Sequence, residues 1–174
     1  MPIQLISSCL VDTPVAWRSD WAWGLPLIVL TVLIHVIGLA TIRQMTFQTS
    51  GRFIQSHPTA GFVVSVSTAT LLATCLHAVE AIIWALAYQF LGAIPGHRMA
   101  MLYSLNAITS YGHTNLRLED HWHLMGALEA LNGWLLFGLT AAFLFAMFMK
   151  VWSLGHRQPS VFANDAPNLK TPWA

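Results

Sequence analysis

Two long apolar stretches, Gly61–Leu91 and Leu124–Val151, flank a segment of this chain that is too polar to cross a bilayer, Tyr103–Asn115. It reads Tyr-Ser-Leu-Asn-Ala-Ile-Thr-Ser-Tyr-Gly-His-Thr-Asn. Few folds accommodate that order. The piece opens with helix-forming residues, closes on Thr-Ser-Tyr-Gly-His-Thr, and is too short to span. The pattern predicts a segment that dips into the membrane and returns. Irregular backbone at membrane depth is tolerated only where protein buries it or where it lines a water-filled path.

The composition fits a lipid setting. Of 174 residues, 56% are hydrophobic and 9% charged, whereas soluble domains carry roughly a quarter charged residues. Too little polar surface remains to cover a water-soluble globule. The chain reads as an integral membrane protein, its tryptophans and phenylalanines suited to interfacial anchoring and helix packing. With a net charge of +1 and no basic tract, nothing points to nucleic acid. Cys9 and Cys75 are isolated, which argues against a disulfide framework or a zinc site. Asp12, Arg18 and Asp20 interrupt the first twenty or so residues, so no cleavable signal peptide is expected.

The first span is predicted at Trp23–Ile42, about the length a crossing helix needs, with Pro26 in its first turn. A polar connector, Arg43–Ala60, follows, with Gly51 and Pro58 as breakers. The second span, Gly61–Leu91, is long enough to tilt or to project beyond the lipid. Ala93-Ile94-Pro95-Gly96 breaks it, and a short amphipathic segment, His97–Thr109, comes next. The chain then divides into a lead-in, first span and connector (1–60), a central unit (61–152) and a tail (153–174) expected to be disordered and cytoplasmic. Arg43, Arg52, Lys150 and Arg157 fall on one side of the spans; Arg18, Arg98 and Arg117 fall on the other. That bias places the amino terminus outside and the carboxyl terminus in the cytoplasm, in a membrane read as the bacterial inner membrane.

Span, short helix, Thr-Ser-x-Gly loop and span together resemble the pore module of the potassium-channel superfamily, notably small bacterial two-transmembrane channels. The resemblance covers roughly Gly61–Val151. It is strongest at Tyr103-Ser104-Leu105, Thr109-Ser110-Tyr111-Gly112 and Gly126-Ala127-Leu128-Glu129-Ala130-Leu131-Asn132-Gly133, continued by Leu135-Leu136-Phe137-Gly138. It implies an all-α membrane protein with three transmembrane helices, a re-entrant pore helix and a filter loop, assembled as a homotetramer. The filter would comprise Thr109, Ser110, Tyr111, Gly112, His113 and Thr114, whose oxygens replace the water of a potassium ion or another monovalent cation. The family pattern Thr-Val-Gly-Tyr-Gly-Asp is altered here. Gly112 keeps the first glycine, while His113, Thr114 and Asn115 replace the aromatic, the second glycine and the acid. Threonine reaches positive φ only with strain, so the inner sites near Thr109–Tyr111 are expected to be more family-like than the outer ones. Selectivity is left open by this departure.

Polar residues inside the spans are expensive to bury and are therefore functional candidates. Glu80 and His77 lie one turn apart and can pair; contact with the pore helix and a proton relay stand as alternatives for Glu80. Glu129 and Asn132 form a second i,i+3 pair, preferred as a buried brace behind the filter, with a cation-attracting ring as the alternative. Gly133 and Gly138 offer either a hinge or close helix packing. His113 either bonds the filter to the pore helix or, once protonated, opposes a cation. His121-Trp122-His123, with Glu119 and Asp120, is a weak pattern for a divalent metal, and a solvated turn is preferred. His35 and His77 could ligate a haem, although nothing around them supports it.

The reading is a tetrameric cation channel, not an enzyme, with no resident cofactor or metal and lipid as its surroundings. The alternative is a non-conducting channel-like protein or sensor with a degenerate filter. The first span carries no Lys or Arg, and no ligand-binding domain is recognisable. Gating is therefore expected from pH, lipid, tension or a partner.

Overall fold

The computed structural model of the protein describes residues 14–112, 118 and 122–155. Within them run four α-helices and no strand: α1 (Pro14–Ser56), α2 (Pro58–Phe90), α3 (His97–Ile108) and α4 (His123–Gly155). Three contain windows long and apolar enough to cross a membrane, Trp17–Gln48, Thr59–Phe90 and His123–Ser153. α1 packs against α2 and α4, and α3 wedges against the same two helices.

The first helix is longer than its sequence suggests. It starts at Pro14, so Pro26 lies inside it rather than in its first turn. It also continues through the expected connector as far as Ser56. Gly51 does not stop it, because one glycine costs a helix only about 1 kcal/mol. The break comes at His57, whose φ of −135° and ψ of 77° are extended. Pro58 favours this, since proline disfavours the helical conformation in the residue before it. At 43 residues, α1 is roughly 65 Å long, about twice the hydrocarbon thickness, so one end stands clear of it. Beyond Ser153, α4 continues to Gly155, and the rest of the expected tail lies outside the described residues.

Each long helix buries a stripe at helical spacing. On α1 it runs Asp20, Gly24, Thr31, His35, Leu39, Ile42 and Thr46. On α2 it begins Gly61, Ser65, Ala69, Ala73 and continues to Glu80, Trp84 and Tyr88. Small residues every fourth position let helix backbones approach in lipid, where apolar side chains alone give little preference for one partner. Val29, Leu33 and Ile37 of α1 and Leu131, Leu135 and Phe145 of α4 point outward.

The buried interior has three levels. At one end, Trp84, Tyr88, Ala100, Tyr103, Ala107, Met125 and Leu128 form an apolar cluster that includes α3. At the other, Leu39, Ile42, Ala69, Ala73 and Met147 form a second. Between them lie Thr31, His35, Glu80, Asn132 and Thr140, all buried.

Candidate functional site

α2 ends in a paired hydrogen-bond cap. Leu91 closes the helix, Gly92 N–H donates to the Gln89 carbonyl at 3.1 Å, and Ala93 N–H donates to the Tyr88 carbonyl at 2.9 Å. Gly92 stands at φ 67°, the left-handed conformation this cap requires. α3 ends in the same way with a different residue. Ser110 N–H donates to the Ala107 carbonyl at 2.9 Å and Tyr111 N–H to the Asn106 carbonyl at 3.0 Å. Here the left-handed position is held by Ser110, at φ 53°. An L-residue pays roughly 1–2 kcal/mol there.

Ser110 is held partly from outside, since the Trp134 indole N–H of α4 donates to its Oγ at 2.9 Å. Thr109 caps inward, its hydroxyl donating to the Leu105 carbonyl at 2.6 Å. Gly112 follows at φ 94°, and Tyr111 is 85% exposed. Thus Thr109–Tyr111 form the helix cap, and Gly112 is the first residue to leave it. His113 and Thr114, predicted as the outer part of the same stretch, lie outside the described residues, as do Glu119, Asp120 and His121. His123 lies within them, and its ring Nε2 sits 3.1 Å from the Leu118 carbonyl.

Gly133 sets the depth of this turn. A Cβ at that position would overlap the Ile108 carbonyl, so only glycine lets the end of α3 lie against the α4 backbone. Gly133 is ten residues into α4, which puts the contact about 15 Å along that helix. Gly138 is different, with nothing within 4 Å of an added Cβ. Of the two glycines read as hinge or packing residues, one makes a close approach and the other faces open space.

Behind α3, Glu129 joins three helices. Ser104 of α3 hydrogen-bonds with Glu129 Oε1 and lies 2.8 Å from the Ala81 carbonyl of α2. The Tyr88 hydroxyl donates to Glu129 Oε2 at 2.6 Å. Glu129 and Asn132, adjacent on one face, do not pair with each other. Asn132 turns to α1 instead, its amide nitrogen donating to Thr31 Oγ1 at 2.9 Å, and Thr31 bonds back to the Leu27 carbonyl at 2.8 Å. One turn of α4 separates a brace to α2 and α3 from a brace to α1.

Glu80 does not reach α3. Its Oε1 lies 2.7 Å from His35 Nδ1, and its Oε2 lies 3.2 Å from His77 Nδ1. The second contact is an ion-pair distance but is poorly aligned as a hydrogen bond. Thr140 Oγ1 of α4 completes the set at 3.0 Å from His35 Nε2 and 3.1 Å from His77 Nε2. The two imidazoles have centroids 5.0 Å apart and share the same two partners.

Sequence reasoning named Glu80, Glu129 and Asn132 but missed His35, Thr31, Tyr88 and Ser104 as their partners, as well as Thr140, which meets His35 and His77, and Trp134, which meets Ser110. The signal available was the set of polar residues within apolar spans, each of which needs a partner in lipid. Comparison with protein-family models, with curated proteins and with solved structures gives no match.

A cavity of about 410 Å³ lies beneath the end of α3, lined by His77, Ile108, Thr109, Ser110, Gly133, Trp134 and Phe137. The carbonyl end of α3, negative by its dipole, borders this space together with two hydroxyls.

Proposed function

We propose that the protein is one subunit of a homotetrameric cation channel, with α3 as a re-entrant pore helix and the residues from Thr109 to Thr114 as the filter. The observation that carries this reading is the seat of the Ile108 carbonyl against Gly133. A helix ends there, part-way along a spanning helix, and hands over to non-helical backbone whose residues 109–112 are exposed. Such backbone is not stable against acyl chains. Copies of the same chain arranged around the loops would cover it and leave an aqueous path. In that arrangement the α3 dipoles favour a cation in the cavity, and monovalent ions such as potassium are the expected cargo. The amino terminus lies outside, as the Lys and Arg distribution favours, so the loops open outward.

The test is cation flux into liposomes carrying the purified protein, with potassium and sodium compared and Gly112→Ala beside it. An alanine at φ 94° is strained, so flux is expected in the parent protein and not in the variant. Equal rates for the two ions would make the channel non-selective. Silence of the parent across pH and lipid composition would overturn the channel reading in favour of a non-conducting protein.

A further inference from the structure

We propose that His35, Glu80, His77 and Thr140 form a proton-binding site that holds one proton more than an ionised Glu80 with two neutral histidines. The four side chains close a ring of four contacts, from 2.7 to 3.2 Å, joining α1, α2 and α4. Three of them are hydrogen bonds that need one hydrogen each; the fourth, His77 Nδ1 to Glu80 Oε2, is an ion-pair contact that is favourable only when Nδ1 carries a proton. With Glu80 ionised and both imidazoles neutral, two ring N–H groups and one hydroxyl serve the four contacts. One contact is then lone pair against lone pair, and the ring carries a net charge of −1.

One added proton repairs both faults. His35 as imidazolium donates through Nδ1 to Glu80 and through Nε2 to Thr140. Thr140 donates in turn to His77 Nε2, and His77 Nδ1–H faces Glu80. Every contact then holds one hydrogen, and the net charge is zero. The mirror arrangement, with His77 as the imidazolium and Thr140 donating to His35, is equally complete. The two interconvert when one ring nitrogen gives its proton to Oγ1 as Oγ1 releases its own to the other ring. A fifth proton would leave a net charge of +1 among apolar walls, which is costly at this depth.

Ligand atoms of His35, His77 and Glu80 also lie within 4.8 Å of one another, close enough to hold a metal ion. A divalent cation on one carboxylate, however, leaves a net +1 in the same buried layer, which the single proton avoids. Among the described residues no other charged group lies in this buried layer. Among the described residues the next titratable groups on α1 are Asp20 and Arg43. On α2 they are Cys75, which is exposed, and Tyr88; on α4 they are Glu129 and Lys150. On α3 they are His97 and Arg98, both exposed, and Tyr103, which packs in the apolar cluster with Tyr88.

The proton has a door. His35 and Glu80 side chains are 0% exposed, whereas that of His77 is 27% exposed and lines the cavity under Thr109 and Ser110. Exchange therefore runs through His77, and the site is occupied or emptied from the space below the α3 cap.

The experiment is solid-state NMR of the full chain, ¹⁵N-labelled at histidine and held in phosphatidylcholine bilayers near neutral pH. His35→Gln and His77→Gln variants assign the signals. The four ring nitrogens of His35 and His77 are expected to carry three protons in sum, unchanged by EDTA. Thr140→Val, which keeps the shape and removes the shared hydroxyl, is expected to cause loss of the third. Two protons in sum, four in sum, or signals altered by EDTA or added zinc would each overturn the proposal. No step of this reading depends on conduction, so a silent channel leaves it standing.

Discussion

Replacing Gly133 by alanine tests the seat of α3 most directly. The added Cβ would lie 2.8 Å from the Ile108 carbonyl carbon and 3.0 Å from its Cα, and would overlap the oxygen. Ordinary contact at a Cβ begins at 3.4 Å. The obstacle is backbone, so no rotamer change relieves it. The end of α3 has to withdraw by on the order of 1 Å, an overpacking displacement worth about 1–3 kcal/mol. Alanine's better helix propensity returns only about 1 kcal/mol. At about 2–4 °C per kcal/mol, a thermal melt of the purified protein in detergent should fall by a few degrees. Because Ile108 precedes the Thr109–Gly112 turn, cation flux should fall with it. Gly138→Ala is the control. Nothing crowds that position, so only the propensity gain remains, and the melt should hold or rise slightly with flux unchanged. A Gly133→Ala protein as stable and as active as the parent would refute the close-approach account. Loss of flux in Gly138→Ala with an unchanged melt would point instead to a hinge there.

Three further outcomes are expected. Glu129→Gln offers a donor to Ser104, whose hydroxyl then serves the Ala81 carbonyl, and an acceptor to Tyr88, so its melt should stay close to the parent's; Glu129→Leu leaves Ser104 its Ala81 carbonyl but strands the buried Tyr88 hydroxyl at about 1–3 kcal/mol, and its melt should fall clearly. In a Trp134→Phe background, where the indole no longer holds the serine hydroxyl, Ser110→Gly should raise stability by about 1 kcal/mol through relief of the left-handed backbone; no gain would mean that the cap is not strained. A double-mutant cycle of Thr31→Val and Asn132→Leu, read by unfolding in mixed micelles, should give a coupling near 0.6 kcal/mol, the typical value for polar pairs between spanning helices.

The three apolar helices and the short fourth were legible because hydrophobic runs of spanning length leave few alternatives. Boundaries followed chemistry that was partly misjudged. Gly51 looked like a breaker and is not, whereas the chain breaks one residue before Pro58, the place its ring favours. The polar residues of the spans were legible as candidates, and Glu80 with His77 as a pair one turn apart, but the partners that meet between helices were not. Glu129 and Asn132 sit on one helix face three residues apart, yet they address different neighbours. Which neighbour each meets depends on how three helices rotate against one another, and no local spacing encodes that. Ser110 was legible only as part of a loop motif. Its left-handed conformation follows from the way α3 ends, where a glycine would have been the usual sign.

The buried polar layer between the two apolar clusters has a consequence for where this chain can be cut. Apolar faces in lipid slide past one another at little cost, whereas Thr31 meeting Asn132 and His35 meeting Glu80 and Thr140 fix α1 at one height and one rotation. A shortened protein beginning at Pro58 would keep both helices that flank α3, and so would look complete by its resemblance. It would nevertheless present an acid, an amide and a hydroxyl to acyl chains in place of their partners. The first helix is thus a third wall of the bundle, and the unit that folds as a whole starts no later than α1.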